Sequence, residues 1–160
     1  MGIPLVKDDE FYMRIALSEA KKALVTGDVP IGAIIVKDNV IIAKSYNQVE
    51  KKSSPLYHAE ILAINKAIKK VGNKHLMDCT LYTTLEPCPM CAGAIVLARI
   101  PKLVYSTDDP KSGASVSLYS ITSDKRLNHR CDVVSGILKE ESSKLLKQFF
   151  QILRKNKKNG

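Results

Sequence analysis

The sequence predicts an α/β fold with a mixed central sheet of about five strands. Two observations carry this. Short runs rich in apolar and β-branched residues stand at 31–36, 40–43, 80–84, 102–106 and 132–135. The first two are joined only by a short turn, whereas helical patterns separate the second from the third and the third from the fourth. A tight turn makes an antiparallel hairpin, and helical crossovers make parallel neighbours, so the sheet should be mixed.

The elements follow in order. Asp8-Asp9-Glu10 supplies an N-cap and an acidic first turn, after which Tyr12, Ile15, Ala16, Ala20, Ala23 and Leu24 recur at helical spacing as far as Gly27. Lys21 and Lys22 fall on the outer face. Ile31 to Val36 turns through Asp38-Asn39 into Val40-Ile41-Ile42-Ala43, a hairpin expected to be buried on both faces. Asn47 ends the second strand. Its amide can offer a donor and an acceptor to a purine edge, but the simpler expectation is a turn residue satisfying its own backbone. Residues 51–55 form a polar loop, which leaves the entry to the next helix at the surface.

That helix starts at His58, carries Ile61, Ile64, Ile68 and Val71 on one face and Lys66, Lys69 and Lys70 on the other, and closes at Gly72. The third strand delivers Pro87-Cys88 to a helix rich in small residues, Ala92, Gly93 and Ala94. Beyond the fourth strand, residues 107–130 read as irregular, with a short helix near 117–121. A final helix opens at Glu140-Glu141, presents Leu145, Leu146, Phe149, Phe150, Ile152 and Leu153, and ends in Arg154-Lys155-Asn156-Lys157-Lys158. Adjacent aromatics sit about 100° apart on a helix, so Phe149 and Phe150 cannot both face the core, and one is free to stack on a base.

At 160 residues the chain is expected to be one domain, 1–160, with its basic helix and tail at about 139–160. The formal charge of +9 favours a polyanionic partner such as nucleic acid over a neutral small molecule. Met1 to Val6 is too short an apolar run for a secretory signal and no stretch approaches a membrane span, which makes the cytoplasm the expected compartment, with no membrane partner. Of the four cysteines, Cys79 and Cys131 read as small buried thiols.

The chemistry lies in His58-Ala59-Glu60 and Pro87-Cys88-Pro89-Met90-Cys91. His58, Cys88 and Cys91 have the softness of zinc ligands, and three protein ligands leave a fourth position open for water, the layout of a catalytic site. Two residues apart on a helix, His58 and Glu60 cannot both reach a metal on its flank, but both can reach one beyond its N-terminus. Pro89 fits the first position of a second helix, so two helix N-termini should aim at one zinc and favour thiolate. Glu60 is then the carboxylate placed to take a proton from water and pass it on.

H-x-E followed by P-C-x-x-C is the pattern of zinc-dependent nucleobase deaminases. Val29-Pro30-Ile31-Gly32-Ala33, Asn47, His58-Ala59-Glu60-Ile61, the run Thr84 to Ala94, Asp108-Asp109-Pro110-Lys111-Ser112-Gly113, Asn128-His129-Arg130 and the Phe149-Phe150 helix extend the match along most of the chain. Together they resemble the bacterial tRNA-specific adenosine deaminases of the cytidine deaminase superfamily. The resemblance implies a three-layer α/β/α cytidine-deaminase-like fold, a homodimer, and conversion of the wobble adenosine of an arginine tRNA to inosine. It also implies one zinc on His58, Cys88 and Cys91, Glu60 as proton shuttle, Asn47 against the purine, and Asp108, Asp109, Phe150 and Arg154 near the anticodon-loop nucleotides. Tyr57 and Val116 depart from the small residue and the glycine usual at those positions. The competing readings are a deaminase of a free base or nucleoside such as guanine or cytosine, and a nucleic-acid-binding module with structural zinc. The latter needs a fourth protein ligand, for which His75 and His129 are candidates by type.

Overall fold

The structure, a computed structural model, describes residues 6–159. The apolar run at Met1 to Leu5 lies outside them. Ten elements follow one another: α1 (Asp9–Lys22), β1 (Gly32–Lys37), β2 (Val40–Tyr46), α2 (Val49–Lys52), α3 (Ala59–Val71), β3 (Cys79–Leu85), α4 (Pro89–Leu97), β4 (Lys102–Thr107), β5 (Asp132–Val134) and α5 (Lys139–Asn159). One five-stranded sheet runs β2-β1-β3-β4-β5. β1 is antiparallel to β2 and to β3, whereas β3, β4 and β5 are parallel, so the sheet is mixed as expected.

Strand alternation divides the core into two layers. Ala33, Ile35, Leu81, Leu103 and Tyr105 face α3 and α4. Their neighbours Ile34, Val36, Tyr82 and Val104 face α1. Helices thus cover both faces, which makes the three-layer α/β/α arrangement.

The hairpin turn places Asp38 and Asn39 at φ 50° and 60°, the paired positive values of a two-residue turn that matches strand twist. Burial on both faces holds for β1 only. β2 is the sheet edge, and Val40 is 58% exposed.

Where α1 crosses β1, Gly32 lies so close that a Cβ would fall inside the van der Waals radius of the Ala16 carbonyl oxygen, a backbone atom that cannot swing aside. Its N–H donates to Thr84 Oγ1 at 3.1 Å. Gly32→Ala is expected to cost about 3 kcal/mol in a denaturant unfolding curve, because the helix must lift from the sheet.

Other differences have local causes. The chain tightens into a 3₁₀ turn at Ala23–Thr26, which rotates Leu24 off the helical stripe to an exposed position. The buried face of α3 is Ala59, Ala63, Ile64 and Ala67, with Ile61, Ile68 and Val71 only half-buried, because alanines let the helix lie close to the sheet. Part of the loop after Asn47 is helical: the buried Asp28 carboxylate accepts from the Glu50 and Lys51 amides and so caps α2. The short helix expected near 117–121 is a 3₁₀ turn at Ile121–Ser123. Just before it the Leu118 and Tyr119 amides both donate to the Gly113 carbonyl, at 3.0 and 3.3 Å, so the chain turns there without helical bonding.

The largest departure is α5. Only Ser142 is buried, where its Oγ donates to the Thr84 carbonyl, and Thr107 and Ser143 share a hydroxyl bond of 2.9 Å. Beyond this first turn the apolar face has little sheet beneath it, and Ile152 is 61% exposed. Among the described residues no helix is long and apolar enough to cross a membrane.

Candidate active site

β3 and β4 are parallel neighbours, so the segments that follow them emerge at the same end of the sheet, where α/β folds commonly place ligands. The segment after β3 is Glu86-Pro87-Cys88. Cys88 is the N-cap of α4, with Pro89 at the first helical position, and His58 is the N-cap of α3. Neither side chain caps its own helix. Both are therefore free to point beyond the two N-termini, as the spacing predicts.

His58, Cys88 and Cys91 bring one ligand atom each to within 4.8 Å of one another. The His58 Nδ1 stands 3.5 Å from each Sγ. A tetrahedral zinc, with nitrogen at about 2.05 Å and sulfur at about 2.3 Å, sets those ligand atoms about 3.6 Å apart, so the donor set fits the ion. Glu60, His75 and His129 are not in the group. His129 instead has its Nε2 2.6 Å from the Ile100 carbonyl oxygen. A structural site with four protein ligands therefore lacks its fourth member among the described residues.

The two thiols are pushed in opposite directions. A hydrogen bond from Cys91 and, against the cost of burial, one from His58 bring Cys88 down to about 4. Cys91 is held above the usual thiol range by its bond to Cys88 and by burial. His58 is raised, foremost by its bond to Cys88. A divalent cation held here would bind both sulfurs as thiolates, with release of their protons. Glu60 is buried at the first turn of α3, and burial pushes its carboxyl up against the opposing influence of His58. Burial thus makes this carboxyl a better proton acceptor than an exposed glutamate.

These residues sit in a cleft of about 720 Å³, the size of a small-ligand pocket. One shoulder is the segment from Thr26 to Val29 with Asn47, another is Asp109 and Ser112, and α5 contributes Phe149, Phe150, Leu153 and Lys157. Asn47 does not satisfy its own backbone as the simpler expectation had it. It is 5% exposed, its Nδ2 donates to the Val29 carbonyl at 3.3 Å, and its Oδ1 has no partner among the described residues. Phe150 is 40% exposed and packs edge-on against Phe149 at 5.2 Å.

Asp108 and Arg154 are not part of the cleft lining. Asp108 accepts from the Tyr105 hydroxyl at 2.9 Å and lies 3.6 Å from the Lys139 Nζ. Arg154 shares a neighbouring groove with Lys111, Lys147 and Phe150. Tyr57 and Val116 are accommodated without a positive φ. The Tyr57 carbonyl accepts from the Gln48 amide at 2.9 Å.

Sequence reasoning did not place Ser112, Leu153 or Lys157 at the cleft. It also passed over Glu86, although a carboxylate between Leu85 and Pro87 is an unusual thing to carry into a core.

The comparisons agree with this geometry. A family model described as MafB19-like deaminase matches residues 7–154. The tRNA-specific adenosine deaminase of Bacillus subtilis (strain 168) is 49% identical over 150 residues, covering 94% of this chain and 93% of that protein. That of Aquifex aeolicus (strain VF5) is 48% identical, covering 92% and 97%. A solved structure from a study of A-to-I editing by tRNA:A34 deaminases at the wobble position of transfer RNA matches with a TM-score of 0.81 and 42% identity, over 84% of this chain and 98% of its own. A guanine deaminase structure from Bacillus subtilis matches less fully, with a TM-score of 0.60 and 35% identity over 69% and 82%. The chain belongs to the MafB19-like deaminases and, among them, to the family of tRNA-specific adenosine deaminases.

Proposed function

We propose that residues 1–160 act as one zinc-dependent domain that hydrolytically deaminates the wobble adenosine of an arginine tRNA to inosine, releasing ammonia. The observation that carries this is the three-ligand group beside a buried carboxylate, in a cleft with one wall built from an aromatic and cationic helix. His58, Cys88 and Cys91 would hold one zinc, which when bound would supply the Lewis acidity that makes water a nucleophile at neutral pH. Glu60 takes one proton from the attacking water and delivers it to N1 of adenine so that C6 accepts attack; it then takes the remaining proton from the new C6 hydroxyl and passes it to the departing amine, which leaves as ammonia while C6 becomes a carbonyl. Asn47 Oδ1, otherwise unpaired, is the acceptor offered to the purine edge. Phe150 gives an exposed ring on which an unpaired base can stack. Asp109 meets the nucleotides from the opposite shoulder, and Asp108 and Arg154 act outside the cleft, toward the flanking anticodon-loop nucleotides.

The exposed Leu97, Leu118 and Tyr119 support a homodimer, and the names of the relatives support action on tRNA; the cytoplasm is the proposed compartment. Deamination of free guanine would use the same metal group, but it leaves the cationic face of α5 without a purpose.

C6 is out of reach in a stacked duplex, so the target must be unpaired. An anticodon stem-loop should therefore be turned over at least about 100-fold faster than the same adenosine embedded in a full duplex, read as ammonia release. Equal turnover of the paired adenosine would overturn the reading.

A further inference from the structure

Glu86 lies two residues before a metal-ligating cysteine, is 2% exposed, and forms no ion pair among the described residues. Its charge is met instead by the loop that follows β4. Oε1 accepts from the Asp109 amide at 3.0 Å and from the Ser117 hydroxyl, and Oε2 accepts from the amides of Ser115, Val116 and Ser117 at 3.1, 2.8 and 2.9 Å. Successive backbone N–H groups around one anion form a nest of the sort that elsewhere holds phosphate. Here the protein fills it with its own side chain.

Gly113 shows how closely the loop is fitted to this group. A Cβ there would fall inside contact distance of the Glu86 carboxyl, and φ lies outside the left-handed range, so the glycine provides room rather than backbone freedom. A second tie joins the same two segments, since Ala114 N donates to the Pro87 carbonyl at 2.8 Å. The loop has no regular structure between Asp108 and Ser120, yet it carries Asp109 and Ser112 to the cleft.

We infer that Glu86 is a positioning residue: its carboxylate gathers the amides of residues 109 and 115–117 and thereby fixes the Asp109 shoulder of the cleft against the segment that bears Cys88. Glu86 borders the cleft, but both of its carboxylate oxygens are taken up by the loop, so its role toward substrate is indirect. It acts on affinity through the loop, so removing it should raise KM and leave metal binding and kcat largely alone. The substrate side of this inference rests on the RNA reading above, and the loop side does not.

The test uses zinc-loaded full-length protein and the variants Glu86→Gln, Glu86→Ala, Gly113→Ala and the double Glu86→Ala/Gly113→Ala. In each single variant, amide exchange at 109 and 115–117 should quicken at least about tenfold while α3 and α4 are unchanged. Zinc content should hold, and kcat/KM on the stem-loop should fall about 10- to 100-fold, mainly through KM. The double variant should be no worse than Glu86→Ala, since the space left by the carboxylate receives the new methyl. Zinc loss, uniform deprotection, an unchanged KM or additive effects of the two sites would each overturn the inference. Should Glu86→Ala fail to fold, Glu86→Gln and Gly113→Ala decide it by the same readouts. Should the wild-type protein deaminate no RNA, the functional reading fails, and the exchange pattern with its double-mutant cycle still decides for or against the clamp.

Discussion

Replacing Glu60 by alanine is expected to lower kcat on RNA about 10³- to 10⁴-fold while zinc stays bound and the protein stays folded. That loss corresponds to about 4 to 5.5 kcal/mol of transition-state stabilisation. The expectation follows from position. Glu60 is buried in the first turn of α3, beside the ligand group but outside it, and its carboxyl is raised by burial. It is thus placed to carry a proton and not to hold the metal. Removing it also relieves a desolvated charge, so the melting temperature should hold or rise. Zinc analysis separates the roles: a variant that arrives without metal would make Glu60 a ligand. Glu60→Gln should be similarly inactive, since an amide keeps the shape but cannot accept the proton.

The second large effect concerns the metal itself. Cys91 is fully buried in the first turn of α4, and its thiolate closes the group with His58 and Cys88. Cys91→Ser preserves volume but exchanges a soft ligand for a hydroxyl, so zinc content should fall close to zero and turnover with it. Stability offers an independent readout. A ligand present at about 1,000 times its Kd stabilises the folded state by about 4 kcal/mol. Chelation of the wild-type protein should therefore lower its unfolding free energy by about that amount, whereas the serine variant should show almost no response to chelator. A wild-type protein indifferent to chelation in both stability and activity would contradict a catalytic metal.

How legible these features are in the sequence depends on how far each reaches along the chain. The grouping of His58, Cys88 and Cys91 was readable because its chemistry and spacing are local: His58 and Cys88 begin helices, and Pro89 marks the second beginning. The hairpin was readable from Asp38-Asn39, and the parallel β3–β4 pair from the helix between them; that β3 lies antiparallel to β1 and not beside β2, and that β5 joins β4 in parallel across a loop, was not. Asn47 was not, because its meaning depends on Val29 and on a cleft assembled from distant segments. Asp28 caps a helix 22 residues away, and Glu86 organises amides up to 31 residues away. No local pattern announces such contacts. The apolar stripe of α5 was visible, but not its fate. Its periodicity is that of a core helix, yet only its first turn lies over the sheet, and the rest forms a cleft wall. A hydrophobic pattern shows that a face seeks a partner without showing whether that partner is the core or a substrate.

The central claim is that an unpaired wobble adenosine is the substrate of this metal site. The most direct measurement is to incubate the zinc-loaded protein with unmodified arginine tRNA carrying adenosine at that position, beside the Glu60→Ala variant, and to read A-to-I conversion by sequencing. The account predicts conversion confined to the wobble position with the wild-type protein and none with the variant. No conversion of the tRNA, with ammonia released instead from free guanine or cytosine, would contradict it.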